Sequence, residues 1–154
     1  MPTDNQVSVH DLAAFILKAR GAMSTMKLQK LVYYCQAWSL VWDEQRIFPE
    51  EIQAWSNGPV VRELYDVHRG WYSVSTWPKG DPARLSSEQV STVNAVLDFY
   101  GDRDPQWLSD LTHMEEPWRI ARRGVPDEVR GSFPITLDSM LEYYSSILKS
   151  IRLT

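Results

Sequence analysis

Hydrophobic side chains cover nearly every side of one predicted helix, residues 24–42. Six of them recur at the i, i+3, i+4, i+7 spacing of a helix and form one stripe: Leu28, Leu31, Val32, Cys35, Trp38 and Trp42. The opposite side carries Met26, Tyr33, Leu40 and Val41. A helix that is hydrophobic all round is buried on most of its sides. The pattern therefore predicts a central helix, capped by Ser24, against which the other elements pack.

The only charged residues in this central helix are Lys27 and Lys30. Both stand near its N-terminus, where the helix macrodipole favours anions over cations. We therefore expect their side chains to meet carboxylates, either in the fold itself, such as Glu115 or Glu116, or on a partner.

Further helices are predicted where a capping signal or a proline precedes an apolar stripe. They begin after Ser8, at Pro59, after Ser86, at Pro105, at Pro117 and after Thr136. Glycines at positions 21, 70 and 124 mark the ends of three of them.

Extended structure is predicted at one place. Residues 46–48 and 52–55 are short apolar runs around Pro49-Glu50-Glu51, which indicates a small β-hairpin. Residues 71–82 have no helical period and contain two prolines, which predicts a long loop. The predicted fold class is mainly α: a single compact domain over residues 1–154, with five to seven helices and one small β-hairpin.

Composition narrows the class of partner. The formal net charge of −4 disfavours a nucleic-acid binder, whose surface usually carries a basic patch. No stretch reaches the length of a membrane span, and the N-terminus lacks the layout of a secretion signal. The single cysteine, Cys35, lies on the apolar stripe and is interpreted as a core residue. We therefore expect a cytoplasmic protein with no membrane association.

Aromatic residues are unusually numerous, with seven Trp and seven Tyr. So many large rings indicate either a very aromatic core or a binding surface, because Trp and Tyr are common interface hot spots. The long loop holds Trp71, Tyr72 and Trp77, which we take as candidate contacts for a protein partner. Candidate charged contacts are Arg119, Arg122 and Arg123, which would share one side of a short helix; a solvated face is the alternative.

The nearest signal for catalysis or metal binding is His113 with Glu116. On a continuous helix the two would share a face. Glu116 directly precedes Pro117, however, and a residue before proline is disfavoured in the α region. No third ligand, activated nucleophile or phosphate loop accompanies them. We expect no metal, no cofactor and no enzyme; the alternatives are a metal-assisted hydrolase using this pair, or hydrogen bonds that fix two helices at a corner.

Three segments resemble, in order and spacing, the motifs of the Panacea domain, the SocA- and GepA-like family. They are MKLQKLVYYCQAW (26–38), IQAWSNGPVVRELY (52–65) and LSDLTHMEEPWRIAR (108–122). The resemblance extends from about Val9 to Leu148, with mild departures at Cys35 and Arg62. We interpret the following motif residues as scaffold: Lys27, Lys30, Tyr34, Trp38, Trp55, Gly58, Pro59, His113, Glu116 and Trp118.

This resemblance implies an antitoxin. Panacea-domain proteins are typically encoded beside a toxin gene and neutralise the toxin by direct binding; their targets include translation-directed toxins such as toxic small alarmone synthetases. The implied partner is a cognate protein toxin from an adjacent gene, in a setting such as phage defence. One relative instead delivers its toxin to a cytosolic protease, so a proteolytic adaptor is the alternative.

Overall fold

The structure, a computed structural model, describes the backbone of residues 6–153 and the side chains of residues 6–150. Helices dominate this part of the chain. They are α1 (Val9–Arg20), α2 (Thr25–Trp42), α3 (Arg62–His68), α4 (Ser87–Tyr100), α5 (Pro105–Met114), α6 (Glu116–Arg122) and α7 (Leu137–Leu153), with a 3₁₀ turn at Pro82–Arg84. The predicted fold class, a single mainly α domain, is confirmed.

The strands are short and form two small antiparallel sheets. They are β1 (Met23–Ser24), β2 (Ile52–Trp55), β3 (Gly58–Val61), β4 (Ser73–Val74) and β5 (Phe133–Ile135). One sheet pairs β1 with β4, and the other places β2 between β3 and β5. The pairing of β1 with β4 ties the start of the predicted loop 71–82 to the segment that precedes α2.

The hairpin lies one segment later than the sequence predicted. Strand β2 pairs with β3, so that Trp55 stands opposite Gly58, and residues 46–48 form no strand. The side chain of Gln36, in α2, binds the backbone of that earlier segment. Its oxygen accepts a hydrogen bond from the Ile47 N–H at 2.7 Å, and its amide donates to the Phe48 carbonyl at 2.8 Å. Polar groups satisfied in this way need no partner strand.

The helix predicted to begin at Pro59 begins instead at Arg62. Pro59 lies in β3, which pairs with β2 alone and is therefore an edge strand. An edge strand tolerates proline because the N–H that proline lacks is not needed on the unpaired side.

The central position of α2 is confirmed. Leu28, Leu31, Val32 and Cys35 have no exposed surface, and the helix contacts α1, α4, α5, α7 and β3. The exception on the predicted stripe is Trp42, at the end of the helix, which is 44% exposed.

The predicted helix starts follow from local capping and are confirmed in most cases. The side chains of Ser8, Ser24, Ser86 and Asp104 each accept a hydrogen bond from a backbone N–H in the first turn of their helix. Helix α6 begins one residue before the predicted Pro117. Among the helices in residues 6–153, none combines the length and the apolar character that crossing a bilayer requires.

Candidate functional site

The turn between β2 and β3 rests on α5 and α6. The indole N–H of Trp118, in α6, donates to the Trp55 carbonyl at 2.9 Å. His113, in α5, places its Nε2 2.8 Å from the Ser56 carbonyl oxygen, and its ring packs on Trp118 with centroids 4.1 Å apart. The second and third sequence motifs therefore meet through side chains that bind backbone carbonyls.

His113 has both ring nitrogens beside carbonyl oxygens, because its Nδ1 lies 2.6 Å from the Ser109 carbonyl. Glu116 is exposed and belongs to the next helix, since Glu115 interrupts α5 and α6 with an extended backbone. Within residues 6–150, no three His, Cys, Asp or Glu side chains lie close enough together to hold a metal ion. This geometry favours His113 as a residue that fixes a corner, and it does not bring Glu116 to the same site.

The buried carboxylate at this corner is Glu115. Its Oε1 accepts hydrogen bonds from the hydroxyls of Tyr34 at 2.8 Å and Tyr144 at 2.7 Å. Burial raises the pKa of Glu115 above its usual value, and the two tyrosine hydrogen bonds oppose that shift. Tyr34 also stacks on Tyr100, with ring centroids 4.1 Å apart. The cluster joins α2, α4 and α7 to the corner between α5 and α6.

Lys30 lies one turn before Tyr34 in α2 and forms no ion pair with a carboxylate of the described residues. Its side chain is 1% exposed, and its Nζ donates one long hydrogen bond, 3.5 Å, to the Pro59 carbonyl. Burial lowers the pKa of its amine to about 7. The expected pairing of Lys30 with Glu115 or Glu116 is therefore wrong, because tyrosines hold the first and the second is exposed.

Lys27, the other lysine of α2, is half-buried and forms no ion pair with any residue in the described side chains. Trp38, also a motif residue, is buried, and its indole N–H donates to the Tyr100 hydroxyl at 3.0 Å. Lys27 thus has no carboxylate partner within the described side chains, and a carboxylate on a partner remains a prediction.

Gln29 joins the first motif to the second, a role that sequence reasoning missed. Its Oε1 accepts from the Val61 N–H at 2.9 Å, and its amide donates to the Val61 carbonyl at 3.2 Å. The same amide lies 3.0 Å from the Nε2 of His68, which must then be the unprotonated ring nitrogen. The available signal was a polar amide inside a helix that is otherwise hydrophobic all round.

Arg122 lies in the interior, away from the exposed Arg119 and Arg123. Its guanidinium donates to the carbonyls of Ala54, Pro126 and Val129. The predicted shared face of three arginines is therefore wrong. Backbone carbonyls thus bind two of the three guanidinium nitrogens, and Nε is the nitrogen left without a partner.

A family model covers the segments that form this site. Residues 28–119 match the family described as antitoxin SocA-like, Panacea domain. The chain belongs to this family. No curated protein and no solved structure matches it. The matched range of this Panacea domain includes Lys30, Gly58, His113 and Glu115.

An open cavity of about 730 Å³ lies beside Lys30. Its walls come from α2, the β2–β3 turn, α3 and the segment 130–132. Four lining residues are cationic, Lys30, Arg62, Arg69 and Arg130, and none is Asp or Glu. This concentration of positive charge contrasts with the net charge of −4 of the whole chain.

The aromatic residues proposed as partner contacts differ in exposure. Trp71 is 50% exposed and Tyr72 is 84% exposed, whereas Trp77 is only 4% exposed. The Trp77 indole N–H donates to His10 Nδ1 at 3.0 Å, which explains how this ring is accommodated inside. Trp77 is therefore no surface residue of this structure, and Trp71 and Tyr72 remain as candidates.

Proposed function

We propose that this protein is the antitoxin of a toxin–antitoxin pair and neutralises a cognate protein toxin by binding it directly. The observation that carries the proposal is the match of residues 28–119 to the SocA-like antitoxin family. The polar groups of the third motif support it: His113, Glu115 and Arg122 bind backbone carbonyls or tyrosine hydroxyls of the same chain. Their hydrogen bonds give them structural roles, so neutralisation rests on the surface.

The proposed contact surface is centred on Trp71 and Tyr72. Both rings project from a backbone that is held in place, because the Thr25 N–H donates to the Tyr72 carbonyl at 3.0 Å and β4 pairs with β1 directly afterwards. Exposed aromatic side chains on a rigid segment are suited to be hot spots, since little conformational entropy is lost when they bind. Arg119 and Arg123 are exposed and are proposed as secondary charged contacts.

The proposed toxin is the product of the adjacent gene and acts on translation in the cytoplasm, as a toxic small alarmone synthetase would. The first experiment expresses the neighbouring reading frame alone and together with this chain. We expect growth arrest in the first case and rescue in the second. A neighbouring product that is harmless when expressed alone would contradict the antitoxin proposal.

The contact surface is tested with Trp71→Ala and Tyr72→Ala. We expect each to weaken toxin binding about thirtyfold, the loss typical of a hot spot, with the melting temperature unchanged. The matched control is Trp42→Ala, which removes an exposed Trp, 44% accessible, at the opposite end of α2. Equal affinity of all three variants and the wild type would exclude this surface.

The amount of toxin that remains in the cell distinguishes neutralisation by binding from delivery to a protease. A tagged toxin is followed after synthesis is stopped, with and without this chain. A toxin that persists in an inactive complex supports neutralisation by binding. A toxin that disappears only when the chain is present would identify a proteolytic adaptor.

A further inference from the structure

The cationic cavity beside Lys30 contains a buried amine with an incomplete set of hydrogen bonds. A buried amine without a carboxylate or a full set of hydrogen bonds costs free energy. Lys30 has one hydrogen bond of 3.5 Å for its three N–H donors. Within residues 6–150, the guanidinium groups of Arg69 and Arg130 make no hydrogen bond or ion pair. These three cations, Lys30, Arg69 and Arg130, therefore lack a negative counterpart among the described side chains.

The four cations surround one open space from several directions. Lys30 comes from α2 at the floor, Arg62 begins α3, Arg69 follows α3 directly, and Arg130 lies on the segment before β5. Among the carboxylates of residues 6–150, Asp66 pairs with Arg62, at 3.4 Å on the exposed face of α3, and none pairs with the other three cations. Positive charges that converge on a concave site attract an anion, and their mutual repulsion is relieved when the anion binds.

The volume of the cavity and the aromatic residues in its wall indicate which class of anion would fit. A volume of about 730 Å³ is in the range of small-molecule sites and exceeds what a single phosphate needs. Trp55 and Tyr65 line the same cavity, half-buried, with ring centroids 4.8 Å apart. An aromatic ring can stack on any nucleobase. An arginine guanidinium can donate two parallel hydrogen bonds to the oxygens of one phosphate.

We propose that this cavity binds a nucleotide, with its phosphates on Lys30, Arg69 and Arg130 and its base against Trp55 or Tyr65. The cavity adjoins the proposed toxin contact, because Thr25 lines it and the Thr25 hydroxyl donates to the Trp71 carbonyl at 3.2 Å. Nucleotide binding is measured without a toxin, so the two proposals are tested separately.

Calorimetric titration of the purified full chain tests the proposal. The probes are ADP, GDP, inorganic pyrophosphate, adenosine and a ten-residue glutamate peptide, each at about 0.15 M salt to screen weak surface binding. We expect at least one of the two nucleotides to bind, and to bind about tenfold or more tighter than pyrophosphate or adenosine, because only nucleotides use both parts of the cavity. Absence of nucleotide binding at millimolar concentration would overturn the proposal.

Two further results would also overturn it. Pyrophosphate or adenosine binding as tightly as the nucleotides would remove the nucleotide assignment. Binding of the acidic peptide without nucleotide binding would instead identify a site for an acidic protein segment.

Variants place the ligand in the cavity. Arg69→Gln and Arg130→Gln change exposed residues, so we expect them to fold normally and to weaken nucleotide binding about tenfold each. Lys30→Met should weaken it further; the two arginine variants keep the test valid if that change impairs folding. Arg103→Gln is the control, since Arg103 packs on Phe99 and Trp107 away from the cavity. Equal losses in the control and in the cavity variants would contradict the assigned site.

Discussion

Lys30 occupies the space that a side chain at position 58 would need. A Cβ built on Gly58 would lie 2.5 Å from the Lys30 Cε and 3.2 Å from its Nζ. Gly58 also has a φ of +119°, which side chains of L-residues rarely adopt. Lys30 of the first motif can therefore take this position only because residue 58 of the second motif has no Cβ. The positive φ of the turn also favours glycine there.

We expect Gly58→Ala to destabilise the fold by about 3 kcal/mol, from backbone strain and from displacement of the buried lysine. Gly70→Ala is the matched control, because Gly70 also has a positive φ, +88°, but a Cβ added there would have no atom within 4 Å. That variant should lose only about 1 kcal/mol, which urea unfolding resolves. Placing Gly58→Ala in a Lys30→Ala background should reduce its excess cost; an unchanged excess would show that the two residues are not coupled.

Local signals account for the parts of the fold that were predicted correctly. Periodicity identified α2 as the buried centre, and capping side chains such as Ser8 and Ser86 marked helix starts, because both depend on residues a few positions apart. The hairpin was misplaced because the Gln36 side chain binds the backbone at Ile47 and Phe48, which removes the need for a strand there. That contact joins α2 to a separate segment, and the hydrophobic pattern of neither segment indicates it.

The candidate site was predicted less well than the fold, for a related reason. Trp77 and Arg122 are amphipathic side chains, and their polar ends are satisfied inside by His10 and by backbone carbonyls. Residue type alone favours the surface for Arg and leaves the location of Trp undecided. The cavity beside Lys30 escaped prediction because its arginines come from separate segments, and only the tertiary fold brings them together.

Lys30 should make stability depend on pH. Its pKa is 10.5 ordinarily and about 7 in the folded protein. Between these values the unfolded chain binds more protons, so stability rises with pH; below about 7 the full cost of the buried charge is present. From pH 7 to 9 the wild type should gain about 2 kcal/mol relative to Lys30→Met.

Chemical denaturation of both proteins at several pH values measures this gain. His68 faces the same cavity, together with Arg62, Arg69 and Arg130, and burial lowers its pKa, so it stays neutral throughout this range. Lys18→Met, at an exposed lysine, is the control. A constant difference between wild type and Lys30→Met from pH 7 to 9 would show that Lys30 keeps its proton in the folded protein throughout this range, so that burial does not lower its pKa.

We expect the stability of the protein to depend on the hydrogen-bond acceptor at position 115 and not on its negative charge. Burial raises the pKa of its carboxyl, so the stability of the wild type falls as pH rises from 4.5 through the raised value. Glu115→Gln keeps an acceptor for Tyr34 and Tyr144, and at pH 7 we expect it to lie within about 1 kcal/mol of wild type. Glu115→Ala leaves the Tyr34 hydroxyl unpaired and the Tyr144 hydroxyl with Tyr33 alone, so it should cost about 2 kcal/mol or more, measured by urea unfolding. Equal losses in the two variants would mean that the charge itself stabilises the cluster.

We expect that even lysine cannot replace Arg122 without a loss of stability. The two ends of its guanidinium bind carbonyls of three residues, Ala54, Pro126 and Val129, while its plane lies 5.2 Å from the ring centroid of Trp118. A lysine ammonium is a compact charge that cannot span these separated acceptors. We expect Arg122→Lys to lose about 2 kcal/mol or more in urea unfolding, because buried carbonyls are left unpaired. Arg123→Lys, at the exposed neighbour, is the matched control and should change stability by less than about 0.5 kcal/mol. If Arg122→Lys is as stable as that control, the carbonyl contacts contribute nothing beyond the positive charge.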